Sequence, residues 1–248
     1  MRKVIIVNQE GEKILTNGGW LRLAPPTGKE SQWVSLHSAS ELADYFLRYR
    51  PDLPPELDRY LDSIRVKSKK LLAIAECKTP LNIDSKGNPA FGEKGPRNHD
   101  LLLIGRDVVI GLEAKATEPL DEVVTEKGDK PKLSKNQIKR YPGLCKQILD
   151  LDIEECSKIR YQLLSATAGT LIEAEKHNVD KAVLLIVLFE SEISKNAIKE
   201  SVKDIKLFKK YLKNKNYDKK TGAYRVKYKP NIKFYVEYKI IKVSSYNK

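Results

Sequence analysis

The chain has 248 residues, of which 41% are hydrophobic, enough to bury an ordinary core as one large domain or two small ones. Lys and Arg number 46 against 33 Asp and Glu, and the whole +13 excess lies in residues 195–248, with 17 basic and 4 acidic residues, while residues 1–194 hold 29 of each sign. No apolar run reaches the roughly 18 residues of a membrane span, and no Gly-x-x-x-x-Gly-Lys-Ser/Thr loop implies a nucleotide-driven motor.

Val4-Ile-Ile-Val7 reads as a short strand. Residues 16–36 are turn-rich, with Gly18-Gly19, Pro25-Pro26 and both tryptophans, Trp20 and Trp33. Ser38-Ala-Ser-Glu41 has the form of a capping box and opens a helix over 39–49. Prolines 51, 54 and 55 end it, and a second helix runs to about residue 64. Residues 70–77 form a strand. A loop over 79–98 carries Pro80, Gly87, Pro89, Gly92, Gly95 and Pro96, and a loop of that length is usually functional or mobile.

The runs His99-Asp-Leu-Leu-Leu-Ile-Gly105 and Val108-Val-Ile-Gly-Leu-Glu-Ala-Lys-Ala116 predict a hairpin turning at Gly105-Arg106-Asp107. Residues 118–135 are polar. Helices follow over about 136–150 and 156–177, the second with small Ala166, Ala168 and Gly169 for close packing. Residues 182–189 are continuously apolar, as in a strand buried on both faces. A basic helix spans about 194–213, and 223–229 and 232–243 alternate as strands. No internal repeat or domain boundary is visible. The order predicts one α/β domain over 1–248, a three-layer α/β/α arrangement around a central mixed sheet. Residues 195–248 would be a basic extension packed on that core or continuing it.

The hairpin places Asp100 at the start of one strand and Glu113 near the end of its neighbour. Glu113 and Lys115 share a face because strand side chains alternate. Mg²⁺ takes oxygen ligands, commonly one or two carboxylates completed by water and phosphate oxygens. A lysine beside an attacking water can orient it or stabilise developing charge. Glu113 also closes an apolar run, where a charge is expensive without a task. The ordinary reading is a surface hairpin with unremarkable charges, since acidic-x-Lys triplets arise by chance in so charged a chain.

Asp100 and Glu113-Ala114-Lys115 together resemble the acidic, variable gap, acidic-x-Lys motif of the PD-(D/E)xK nuclease superfamily, the restriction-endonuclease-like fold. His99 stands where that motif has its nominal proline. Glu-Ala-Lys-Ala-Thr-Glu-Pro-Leu at 113–120 and Arg-Tyr-Gln-Leu-Leu at 160–164 look like an uncharacterised branch of that superfamily, over roughly residues 20–190. The resemblance implies a restriction-endonuclease-like core and a Mg²⁺- or Mn²⁺-dependent endonuclease. Asp100 and Glu113 would hold the metal, Lys115 would position water, and Gln162 would reach the site from the following helix, unless it is an ordinary helix-surface glutamine.

A second triplet competes. Leu71-Leu-Ala-Ile-Ala-Glu-Cys-Lys78 also ends in acidic-x-Lys, and Glu76 and Lys78 would need Asp58 or Asp62 as the upstream acid. A third arrangement adds Glu76 to the Asp100/Glu113 metal patch. Glu41 is either a further carboxylate of the site or a helix cap, Glu118 an exposed residue, and His99 a phosphate contact or a structural histidine.

In the C-terminal segment Lys209, Lys210, Lys213 and Lys215 would meet phosphates, and the interleaved Tyr211, Tyr217, Tyr224, Tyr228, Tyr235 and Tyr238 would stack on bases. The ordinary alternative is a solvated lysine surface. Cysteines 77, 145 and 156 match no zinc or disulfide framework, and the N-terminus lacks a signal-peptide pattern. The expectation is a cytoplasmic enzyme acting on nucleic acid, DNA before RNA, with no membrane partner and a homodimer admitted. A catalytically silent nucleic-acid-binding or scaffolding protein of the same fold is the alternative.

Overall fold

The computed structural model describes residues 1–26, 33–34, 36–81, 95–120, 134–214 and 217–243. Eight strands form one mixed sheet: β1 (Lys3–Val7), β2 (Lys70–Pro80), β3 (Pro96–Ile104), β4 (Val109–Lys115), β5 (Lys181–Glu190), β6 (Tyr217–Asp218), β7 (Ala223–Tyr224) and β8 (Lys233–Lys242). Their order is β1-β2-β3-β4-β5-β8-β7-β6. β2, β3 and β4 form an antiparallel meander, while β1 joins β2, β5 joins β4 and β8 joins β5 in parallel.

Two cores sandwich the sheet. Helices α1 (Asn17–Leu23), α2 (Ser38–Tyr49) and α3 (Pro55–Ser63) bury Trp20, Phe46, Leu57 and Leu61 against one face. On the other lie α4 (Lys135–Leu144), which continues as a π-helical turn (Cys145–Leu149), α5 (Tyr161–Lys176) and α6 (Lys195–Lys213). The β5 run Ala182–Phe189 is buried throughout because it is covered on both sides. The C-terminal segment continues the core: β8 pairs with β5 along its length, and Ile198, Ile205, Phe208 and Leu212 of α6 enter the second core. No helix among the described residues is long and apolar enough to cross a membrane.

Local interactions explain where elements depart from the sequence reading. The Gly18-Gly19 stretch is helical because the Thr16 hydroxyl accepts from the Gly19 N–H at 3.0 Å. Helix α2 starts after His37 rather than at a Ser38 cap, and Glu41 reaches back to the Leu36 N–H at 2.8 Å. Helix α5 starts at Tyr161, later than expected, because the preceding turn is pinned by the Tyr141 hydroxyl donating to the Cys156 and Ile159 carbonyls. The expected strand over 223–229 is only two residues long; the Tyr228 N–H goes instead to the Gln147 carbonyl. The expected loop 79–98 is shorter, since Thr79 and Pro80 end β2 and Pro96 begins β3. Its residues 82–94, like 121–133 of the polar stretch, lie outside the described residues.

The hairpin turns where the sequence placed it, and Asp107 anchors the turn. Burial opposes its ionisation, but hydrogen bonds from Ser68 and the Lys67 and Ser68 N–H groups, with Lys181 nearby, hold the carboxyl down at about 2. Gly111 of β4 and Gly169 of α5 make the sheet–helix contact possible. A methyl group at Gly111 would overlap the Thr170 hydroxyl, and one at Gly169 would sit 2.7 Å from His99 Nε2. Neither neighbour can yield easily, because His99 is fully buried and the Thr170 hydroxyl donates to the Ala166 carbonyl at 2.7 Å. Gly111→Ala is therefore expected to destabilise by about 1–3 kcal/mol, the usual range for overpacking. Urea denaturation measures it, and an unchanged midpoint would mean that α5 does not sit this close to β4.

Candidate functional site

Glu76, Asp100, Glu113 and Lys115 lie on three adjacent strands at one edge of the sheet, the carboxyl ends of β2 and β4 and the start of β3. In open α/β sheets this is the edge where ligands bind. The strands are irregular there. Leu71, Ala73 and Ala75 face the α1–α3 core, but Cys77 and Leu81 face the α4–α6 core. β3 reverses at the matching place, with Leu101 and Leu103 in the first core and His99 against Gly169 of α5. The register runs from Ala75↔Leu101 to Cys77↔His99, so Glu76 and Asp100 face each other at the reversal.

The backbone shows how this is done. Glu76 has φ of +50°, a left-handed conformation uncommon for a non-glycine residue. The β3–β4 register ends at Leu101↔Leu112, and beyond it the Ala114 N–H donates to Asp100 Oδ2 at 2.7 Å. A carboxylate thus replaces the next ladder carbonyl, and the two strands part around it.

Glu113 is 1% exposed. Its Oε2 receives the Gln162 side-chain amide at 2.9 Å and an ion pair from Arg97. Among the described residues its Oε1 has no hydrogen-bond partner and lies 3.9 Å from His99 Nδ1, which has none either. Burial pushes the Glu113 carboxyl up to about 7, Arg97 opposing and Asp100 adding to the rise. Burial also raises Asp100, against the attraction of Lys115 and the Ala114 hydrogen bond. Glu76 rises to about 8, first through burial and then through Asp100, despite a hydrogen bond from the Asn98 amide. Burial holds His99 neutral, down at about 3, with Arg97 contributing.

Two clefts open beside these groups. One, about 380 Å³, is lined by Arg97, Asn98, Gln137, Arg140, Tyr161 and Ser165. The other, about 570 Å³, includes Glu10, Glu76, Lys78, Pro96 and Asn98. A cleft of about 580 Å³ between Leu36 and Lys242 contains none of the site groups.

Residues 14–242 match the family described as Domain of unknown function (DUF6946). The chain belongs to that family. No curated protein and no solved structure matches it.

In this DUF6946 chain the motif residues fall in one neighbourhood, and Gln162 touches Glu113 directly. Glu76 joins them opposite Asp100, whereas the aspartates that a Glu76/Lys78 site required do not. Asp58 and Asp62 bind the buried Arg2 guanidinium at 2.6 and 2.8 Å. Glu41 is buried on α2 with Leu36, Asp44 and Arg48 around it. Glu118, expected to be exposed, is partly buried and raises Asp100. Sequence pattern does not single out Arg97 and Asn98: they sit in a loop-like stretch, and only the strand extension brings them inward. Among the described residues no three His, Cys, Asp or Glu side chains converge as a ready-made metal cage.

The C-terminal residues named for nucleic acid fall in different settings. Lys209 is half-buried and paired with Glu237 at 3.6 Å. Lys213 lies over the Tyr217 ring at 5.2 Å, and Lys210 is exposed. Lys215 lies outside the described residues. Tyr224 and Tyr235 are buried, and Tyr211, Tyr217, Tyr228 and Tyr238 pack against the core. The tyrosines serve packing and offer no row of open faces.

The raised carboxyls make stability depend on pH. Glu76 and Glu113 bind protons more tightly when folded than at their ordinary value of 4.5. The folded state therefore holds extra protons above pH 4.5, and stability falls as pH rises, until about pH 8. His99, held neutral when folded, acts in the opposite sense only below its ordinary 6.5. The window from pH 6.5 to 8 isolates the carboxyls. Wild-type unfolding free energy is expected to decline across it, and Glu76→Gln with Glu113→Gln to flatten the decline. A wild type with no decline there would contradict the buried charge cluster.

Proposed function

We propose that the protein is a metal-dependent nuclease of the restriction-endonuclease-like fold, hydrolysing phosphodiester bonds in DNA. One observation carries this reading: Glu76, Asp100, Glu113 and Lys115 come from three neighbouring strands to one sheet edge, with Gln162 on Glu113. The donor set suits Mg²⁺ or Mn²⁺, since it is carboxylate oxygen throughout and Glu113 Oε1 has no hydrogen bond among the described residues. A bound divalent ion would polarise the phosphoryl group and acidify a water. Asp100 and Glu113 would hold it, with Glu76 beside them. Lys115 orients the attacking water and offsets charge on the phosphate, and Gln162 fixes the Glu113 carboxylate. The three free, buried thiols suit a reducing cytoplasm.

A second reading has its own observation. Arg97 pairs with Glu113, so a guanidinium already balances one of the carboxylates. A catalytically silent nucleic-acid-binding protein could keep the fold in this way.

The two separate in a cleavage assay with Mn²⁺ on plasmid and linear duplex. The nuclease reading expects cleavage by wild type, abolished by EDTA and reduced by about 10²-fold or more in Lys115→Ala, the scale for losing one electrostatic stabiliser. Binding without cleavage, in wild type and variant alike, would select the silent protein.

A further inference from the structure

We propose that the outer face of α6 is a docking ridge for the phosphate backbone of duplex nucleic acid. The inference rests on the nucleic-acid part of the reading above, and not on cleavage. Lys195, Lys199, Lys203, Lys206, Lys210 and Lys213 are all exposed on this helix. Their spacings of four, four, three, four and three residues place them on one arc of about 80°, at 3.6 residues per turn. The row is about 27 Å long at 1.5 Å per residue. It lies away from the buried Ile198, Ser201, Ile205, Phe208 and Leu212.

The ridge differs from four other lysines of the segment. Lys209, Lys227, Lys229 and Lys233 are each beside a carboxylate, of Glu237, Asp150, Glu175 and Asp180. On the ridge Lys195 has an exposed pair with Glu192, and Lys213 lies over Tyr217. Lys199, Lys203, Lys206 and Lys210 have no ion pair among the described residues. The acids of the helix stand elsewhere: Glu200 lies beyond the edge of the arc, and Asp204 is held by Arg160 at 2.8 Å. A row of like charges repels itself unless a polyanion covers it.

Two features choose the polyanion. A membrane-surface helix must bring an apolar face to the lipid, and the apolar face of α6 is inside the core. A duplex instead presents a rigid line of phosphates, about one charge per 1.7 Å of its axis, which a straight lysine row can follow. The location fits as well. Helix α6 leaves the carboxyl end of β5, the sheet edge that carries Glu113 and Lys115. The Arg160–Asp204 bond ties it to the start of α5, two residues before Gln162.

The test uses the full chain in EDTA, so that no cleavage intervenes, with fluorescence anisotropy on a labelled duplex DNA. One variant carries Lys199→Gln, Lys203→Gln, Lys206→Gln and Lys210→Gln. A second removes the same charge elsewhere, through Lys13→Gln, Lys67→Gln, Lys69→Gln and Lys219→Gln, all exposed positions. The ridge variant is expected to bind at least about tenfold more weakly at moderate salt. Its slope of log affinity against log salt should fall by about 0.9 for each phosphate no longer neutralised. The control variant should stay close to wild type. Equal weakening of both variants, unchanged binding by a ridge variant that melts like wild type, or wild type binding anionic vesicles but no duplex would each overturn the ridge. Cleavage is read in Mn²⁺ and docking in EDTA, so a failure of cleavage and a failure of docking are read separately.

Discussion

A carboxylate that is almost wholly buried between a sheet and a helix constrains everything around it. Glu113 can be tolerated there only with compensation, because a lone buried charge is among the most costly features a fold can carry. Arg97 and Gln162 compensate on one oxygen. Among the described residues the other oxygen is left unpartnered, beside a histidine that is itself without a hydrogen bond. Fitting that histidine requires glycine at Gly169, and the Thr170 hydroxyl beside it requires glycine at Gly111. The close packing of α5 on β4 and the chemistry of the edge are thus one arrangement.

The paired reversal of β2 and β3 supplies the rest. Regular pleating would carry Glu76 and Asp100 along with the alternation of their strands. The left-handed Glu76 and the carboxylate of Asp100, standing in for a ladder acceptor, break that alternation at facing positions. Residues in sparsely populated backbone regions persist when the surroundings over-determine them, and they concentrate at functional sites. Asp100 adds to the burial that raises both glutamates, so at neutral pH the edge keeps protons on these carboxyls in place of full negative charge.

Much of this is legible in the sequence because it rests on short-range pattern. The hairpin, the two-sided burial of β5 and the basic α6 follow from apolar periodicity and Gly105-Arg106-Asp107. Asp100, Glu113 and Gln162 come together because hairpin pairing and the following helix fix their approximate places. Arg97 and Asn98 are not legible, since a proline- and glycine-rich stretch gives no sign of where a strand resumes. The tyrosines of the C-terminal segment mislead for a related reason. Alternation shows which residues share a face, and only the finished sheet shows that those faces are covered. The ridge on α6 is present in the spacing of its lysines, but Lys209 and Lys210 are adjacent in sequence and point differently, and only burial separates the paired lysine from the open one.

The proposed nuclease requires the carboxylates of β2, β3 and β4 to form a cation site completed by a phosphodiester. Calorimetric titration of Mn²⁺ into the protein with a non-hydrolysable phosphorothioate duplex addresses it most directly. Mn²⁺ should bind to the wild-type complex, more weakly to the protein without duplex, and not at this site in Asp100→Asn with Glu113→Gln. Equal Mn²⁺ binding by wild type and by that double variant, each shown to be folded and to hold the duplex, would contradict the claim and leave the buried carboxylates as a structural cluster.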